Sequence, residues 1–252
     1  MLDVVYYPVS FVLWCWHQGL ALVFGDAAAL GWLLAVVLLV VTLRAALLKP
    51  ALGQARALRR MTQLAPRMTE LRKRYGSDRE RYGAELQKLL RAEDVRPGAA
   101  YLPMLLQLPV FLGLGHVLRA FTSAPHAANY VFSAADVHSY LAAKLFGAHL
   151  GDAMVNVPLL GGGAHLLWMW QIAPVAVPLI VLAAVATHLT ARLASVPGQP
   201  AAMRLLGRYG GPLLVLVSGV VLPLGLLVYW LTNNACTLAQ QALIARTTRP
   251  AE

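Results

Sequence analysis

Residues 30–48 read LGWLLAVVLLVVTLRAALL, an apolar run with a single charge, Arg44, four positions before its end. At ~1.5 Å rise per residue, a helix of this length crosses the ~30 Å hydrocarbon core of a bilayer. A guanidinium does not shed its proton in a protein. Holding one at membrane depth costs about 2.5–3.5 kcal/mol on insertion scales. Two readings of Arg44 therefore stand side by side. It snorkels from the last turn of its helix into the headgroups, or it marks a functional site kept wet within the membrane.

The remainder of the chain fits a membrane protein. Of 252 residues, 59% are hydrophobic and 13% charged, with mean hydropathy +0.62. A soluble domain carries about a quarter of its residues as charges, so that class is excluded. Beyond the run at 30–48, apolar segments at 99–120, 167–189 and 211–245 read as spans. The last is too long for one crossing, and Pro223-Leu224-Gly225 divides it into spans at 211–222 and 226–244. The first of these is short enough to need tilt or local thinning of the bilayer. Residues 1–29, with Phe11, Trp14, Trp16 and Phe24, read as a helix in the membrane interface, where tryptophan is favoured. Ala27-Ala28-Ala29 resembles a processing site, so removal of this segment is the alternative. The fold class predicted is an all-α membrane protein: five transmembrane helices around a hydrophilic groove, a cytosolic helical hairpin and an N-terminal interfacial helix.

Charge orients the spans. Thirteen of the 21 Lys and Arg residues lie between Lys49 and Arg96, and cytoplasmic loops retain such residues. The segment 49–98 is then cytosolic. The loop 121–166 has one base, Lys144, and two acids, Asp136 and Asp152, and faces outside. The loop 190–210, with Arg192, Arg204 and Arg208, and the tail 246–252 return to the cytosol. The N-terminus is expected outside and the C-terminus inside a bacterial plasma membrane.

Within 49–98, Leu58, Met61, Leu64, Met68, Leu71 and Tyr75 recur at steps of three or four, one face of a helix. Gly76-Ser77-Asp78 is a break with an N-cap, and Tyr82, Leu86 and Leu89 continue on a second helix. Pro66 is expected to kink or restart the first helix. The bases Arg59, Arg60, Arg67, Arg72, Lys73 and Arg74 read either as a solvated face or as a surface for clients, anionic lipid or ribosomal RNA. No aromatic stacking platform accompanies them, so sequence-specific nucleic-acid binding is not expected.

Polar side chains within the spans are few, and none is Asp or Glu. An ion-coupled transporter relies on intramembrane carboxylates, and neither a Ser/His pair nor an HExxH zinc helix is legible. Cys15 and Cys236 form no disulfide framework, and no metal or cofactor is expected. What remains is a polar lining without an acid: Arg44, Gln107, Asn234 and Thr237 could converge in a water-filled groove. There Arg44 would attract acidic groups of a guest through bidentate hydrogen bonds. The other three have an alternative role, joining helices by hydrogen bonds.

Residues 58–119 resemble the YidC membrane protein insertases, a family with mitochondrial and chloroplast relatives. The family's Gln-Pro, charged hairpin and Asn-Pro appear here as Ala65-Pro66, the hairpin and Arg96-Pro97, followed by PMLLQLPVF at 103–111. The terminal stretch 223–241, PLGLLVYWLTNNACTLAQQ, resembles the family's last hairpin and helix. Asn129–Asp136 and Tyr7–Ser10 are most similar to actinobacterial members. The resemblance implies a five-span bundle that inserts and helps fold membrane proteins, alone or beside the Sec translocon, without covalent chemistry. Arg44 matches the groove arginine of the first span, Gln54 keeps its offset, and Gln107 and Thr237 match groove-lining positions. Implied partners are nascent membrane proteins, lipids and, transiently, the translocon and ribosome. The short tail after Arg246 puts stable ribosome docking in doubt. An assembly chaperone acting after translocon release and a solute channel are the competing functions.

Overall fold

The computed structural model describes residues 3–25, 29–93, 95, 102–123, 127–155, 169–193 and 201–246. Some side chains within helices, those of Gln54 and Arg59 among them, lie outside this description. The described residues are all-α apart from one hairpin of two-residue strands and a single bridge between Asn129 and Phe132. In order it forms α1 (Asp3–Phe24), α2 (Ala29–Ala46), α3 (Leu48–Tyr75), α4 (Arg79–Ala92), α5 (Leu102–Ser123) and α6 (Ala134–Ala142). Strands β1 (Lys144–Leu145) and β2 (Ala148–His149) follow, then α7 (Met169–Leu193), α8 (Ala201–Leu205), α9 (Gly211–Gly219) and α10 (Leu224–Arg246). Among the described residues, α2 and the Gln171–Arg192 part of α7 are long and apolar enough to cross a membrane, each with mean hydropathy 2.2.

The described parts of the apolar segments are helical apart from short turns, as at 220–223, and the fourth begins earlier than expected. Residues 201–210 were expected in a loop, because Arg204 and Arg208 mark the approach to water. Instead α8 runs through a π-helical turn, Leu206–Gly210, directly into α9. The helical stretch 201–219 is about 28 Å long at the usual rise. Arginine stems are long enough to carry their charge to water from a helix, so the two charges did not end it. Pro66 likewise lies inside the continuous helix α3 and does not restart it.

The helices α3 and α4 form the antiparallel hairpin that the sequence pattern gives. Leu64 and Ala65 are buried, and Met61, Met68, Leu71 and Tyr75 are half-buried along the same side. Asp78 caps α4, its side chain accepting from the Arg81 amide at 3.1 Å. Between the two helices lies a cleft of 430 Å³ floored by Leu71, Leu89 and Ala92.

Helix α10 packs on α7, α2 and α5, while α1 packs on α2 and α5 through Val9, Ser10, Leu13 and His17. The end of the bundle bearing α6 is closed by aromatic packing. Trp32 is fully buried, with its ring 5.2 Å from Tyr140, 5.9 Å from Phe132, 6.4 Å from Phe121 and stacked at 3.6 Å on His17. Its indole Nε1 donates to Ser139 Oγ at 3.1 Å, so the polar edge of the ring is satisfied. A capping box joins Ser133 and Asp136 at the start of α6, and Gln18 donates to Asp136 Oδ1 at 3.1 Å.

The turn before α10 is sewn to the same structure. Leu224 N donates to Asp152 O and Gly225 N to Leu150 O, both at 2.9 Å. Tyr140 OH donates to Leu150 O at 3.1 Å. A Cβ on Gly225 would come 2.6 Å from the Tyr140 hydroxyl oxygen. Replacing Gly225 by Ala is therefore expected to destabilise the bundle by about 1–3 kcal/mol through overpacking. A thermal melt in detergent checks this, with Gly19→Ala, whose added Cβ meets nothing within 4 Å, as the control.

Candidate functional site

Arg44 is half-buried in the last turn of α2, facing α10. Its Nε donates to Asn233 Oδ1 at 3.2 Å, and its Nη2 donates to Asn233 Oδ1 at 2.7 Å and to the Asn233 carbonyl at 3.0 Å. Nη2 also donates to Thr237 Oγ1, which in turn donates to the Asn233 carbonyl at 2.9 Å. Each acceptor is a neutral oxygen. No ion pair among the described residues includes Arg44, and its Nη1 donates to none of them. Among the described residues the guanidinium is thus held by one edge, with no counter-charge and with Nη1 left without an acceptor.

Helical geometry explains the set. Tyr229, Asn233 and Thr237 are spaced by four, so they share one face of α10. Thr237, expected beside Arg44, is there. Gln107 of α5 donates instead to the hydroxyl of the buried Tyr229, two turns from Thr237 on that face. Asn234 is turned away from Arg44, because successive residues in a helix point about 100° apart. Its Nδ2 donates to the Ala183 carbonyl of α7 at 3.4 Å, a link between helices. The residue placed on Arg44 is its neighbour Asn233. The four-residue spacing from Tyr229 to Thr237 was the signal that separates the two asparagines.

The basic residues of the hairpin are spread over an exposed surface. Arg60, Arg67, Arg72, Lys73 and Arg74 are all exposed, and the Arg59 side chain lies outside the described residues. Arg67 Nη1 pairs with Glu93 Oε1 at 2.7 Å, while the Arg74 guanidinium sits 5.9 Å from the Tyr75 ring centre. Such exposed pairs contribute little to stability. They leave the face cationic. The described residues contain no cluster of His, Cys, Asp and Glu able to hold a metal ion.

Apolar helices long enough to cross a bilayer, with a guanidinium held among the described residues by neutral oxygens, fit a helical membrane protein. The family model described as 60Kd inner membrane protein matches residues 23–251, and the chain belongs to this family. It is 41% identical to the membrane protein insertase YidC of Mycobacterium tuberculosis (strain H37Rv), an alignment covering 95% of this chain and 71% of the relative. The protein of the same name from Mycolicibacterium paratuberculosis is also 41% identical, covering 95% and 74% of the two chains. That of Mycobacterium leprae is 40% identical, covering 95% and 69%.

Proposed function

We propose that the chain moves client transmembrane segments from the cytosol into the bilayer along a hydrophilic groove whose charged element is Arg44. The helices α2, α5, α7, the 201–219 stretch and α10 are the five spans, α1 lies in the outer interface, and the α3–α4 hairpin is cytosolic. The N-terminus is then outside and the C-terminus inside. The observation that carries this reading is the guanidinium held, among the described residues, by the neutral oxygens of Asn233 and Thr237.

In operation, an acidic group of the client's tail would pair with the unused donors of Arg44, forming a charge-assisted hydrogen bond in a site drier than bulk water. The client's apolar segment would then pass between spans into lipid, driven by burial of its side chains in hydrocarbon. A membrane potential positive outside draws negative tail charge in the same direction. The aromatic packing around Trp32 keeps the groove shut to the outside. Gln107 and Asn234 hold α5 and α7 to α10, and the hairpin's Arg60, Arg67, Arg72, Lys73 and Arg74 offer the first contact to clients or anionic headgroups. The Sec translocon and the ribosome are transient partners in this scheme.

Reconstitution of the purified protein alone into liposomes tests it. A small client with an acidic outward tail becomes protease-protected if the chain is an insertase. An assembly chaperone gives no protection without a translocon, and a channel gives solute flux instead.

A further inference from the structure

We propose that Phe146 and Lys144, at the tip of the β1–β2 hairpin, form a prong that seats in the headgroup–acyl boundary of an anionic lipid leaflet. The depth of the hairpin is fixed by what it packs on. Strand β2 contacts α7, and β1 contacts α2. Ala148 of β2 is buried in one apolar cluster with Ile172, Val175 and Ala176, and these residues open the membrane-crossing stretch Gln171–Arg192. The hairpin therefore lies at the level where α7 enters hydrocarbon. That level is the same whichever way the chain is oriented; the orientation proposed above makes the leaflet the outer one.

The tip is held out rigidly. In the strand register Lys144 lies opposite His149 and Leu145 opposite Ala148, which leaves Phe146 and Gly147 as a two-residue loop. His149 Nδ1 lies 2.6 Å from the Leu141 carbonyl oxygen, and the His149 amide donates to Asp152 Oδ2 at 3.1 Å. The Leu150 amide donates to the Ala143 carbonyl at 3.2 Å. Both loop residues have positive φ, 49° at Phe146 and 90° at Gly147. Asn, Asp or Gly ordinarily fills the first position of such a turn, and a bulky side chain there is an outlier. Phe146 is also 89% exposed, so packing against the described residues does not offset its backbone. A strained residue that folding does not need points to function.

Its surroundings specify the partner. Lys144 is exposed and is the only Lys or Arg between residues 121 and 166, two positions from the projecting ring. At interface depth the ring enters the acyl boundary, while the lysine stem carries its ammonium up to the phosphates. An apolar tip with one adjacent cation at that level fits anionic lipid.

Benzoylphenylalanine in place of Phe146, photolysed in liposomes of equimolar phosphatidylglycerol and phosphatidylcholine, tests the site by mass spectrometry of the adducts. Lipid adducts are expected at a yield close to that at Leu182, a 54% exposed position within the apolar stretch of α7. Phosphatidylglycerol adducts should exceed phosphatidylcholine adducts, and Lys144→Gln should remove that excess, a loss of up to about fivefold. Phe146→Asn, which suits the turn better, should unfold in detergent at the wild-type temperature or above. A much lower Tm would show that the ring holds the fold and would overturn the proposal. So would an absence of lipid adducts at 146, an excess unchanged in Lys144→Gln, or cross-links in native membranes that go chiefly to a protein. None of these readouts depends on client insertion, so the insertion scheme and this site fail separately.

Discussion

Arg44→Glu is expected to cut insertion of a client with an acidic outward tail by tenfold or more in liposomes, on the order of 1.4 kcal/mol or above. Two unit charges 4 Å apart interact by about 4 kcal/mol at an effective dielectric near 20. Arg44 is only half-buried, so water screens part of that, but reversal turns an attraction into a repulsion. The loss should be selective. A client without tail acids gains nothing from the guanidinium and should insert at nearly the wild-type rate. Arg44→Lys should fall between, because an ammonium keeps the charge but cannot bond Asn233 and Thr237 while presenting a second, separate nitrogen to a guest. Comparing protease-protected fractions for the three variants and two clients checks all of this in one assay.

The second large effect is structural. Trp32→Ala is expected to destabilise the protein by about 3–5 kcal/mol, the usual cost of emptying a large aromatic site in a core. The cavity would border Phe121, Phe132, Tyr140 and His17, and the Ser139 hydroxyl would lose its donor. Thermal unfolding in detergent measures the loss. Because the cluster joins α1, α2, α5 and α6, the variant should also expose the outer end of the groove. Maleimide labelling from outside of a cysteine placed at Asn233, on the face that meets Arg44, in a background with Cys15 and Cys236 replaced by Ser, should rise in Trp32→Ala. Trp32→Phe, which keeps most of the ring volume, should recover much of the stability but not the Ser139 bond.

What the sequence made legible is local in origin. The three-and-four spacing from Met61 to Tyr75 and the cap at Asp78 involve residues within a few positions of one another, and the hairpin follows from them. Arg44 stood out because one charge in an apolar run is visible without a fold. The start of the fourth helical stretch was not legible, because Arg204 and Arg208 read as the edge of the membrane whether a helix carries them or a loop does. The partner of Arg44 depended on which of two adjacent asparagines faces α2. That choice is set by the rotation of α10 in the bundle, not by composition. The Trp32 cluster was hidden for a different reason: its bond to Ser139 spans 107 positions, and no periodicity encodes such a contact. Gln107 and Asn234 were legible as polar residues within spans, but the balance between lining a groove and tying helices together depends on those same rotations.

The role proposed for Arg44 is to act on the client through its charge. A charge-swap cycle measures this most directly: wild type and Arg44→Glu, each with clients whose tail carries either acidic residues or lysines in their place, in liposomes without a membrane potential. The lysine-tailed client is expected to insert poorly with wild type and to recover with Arg44→Glu, giving a coupling well beyond additivity. Equal ratios of insertion for the two clients, whichever residue stands at position 44, would contradict it.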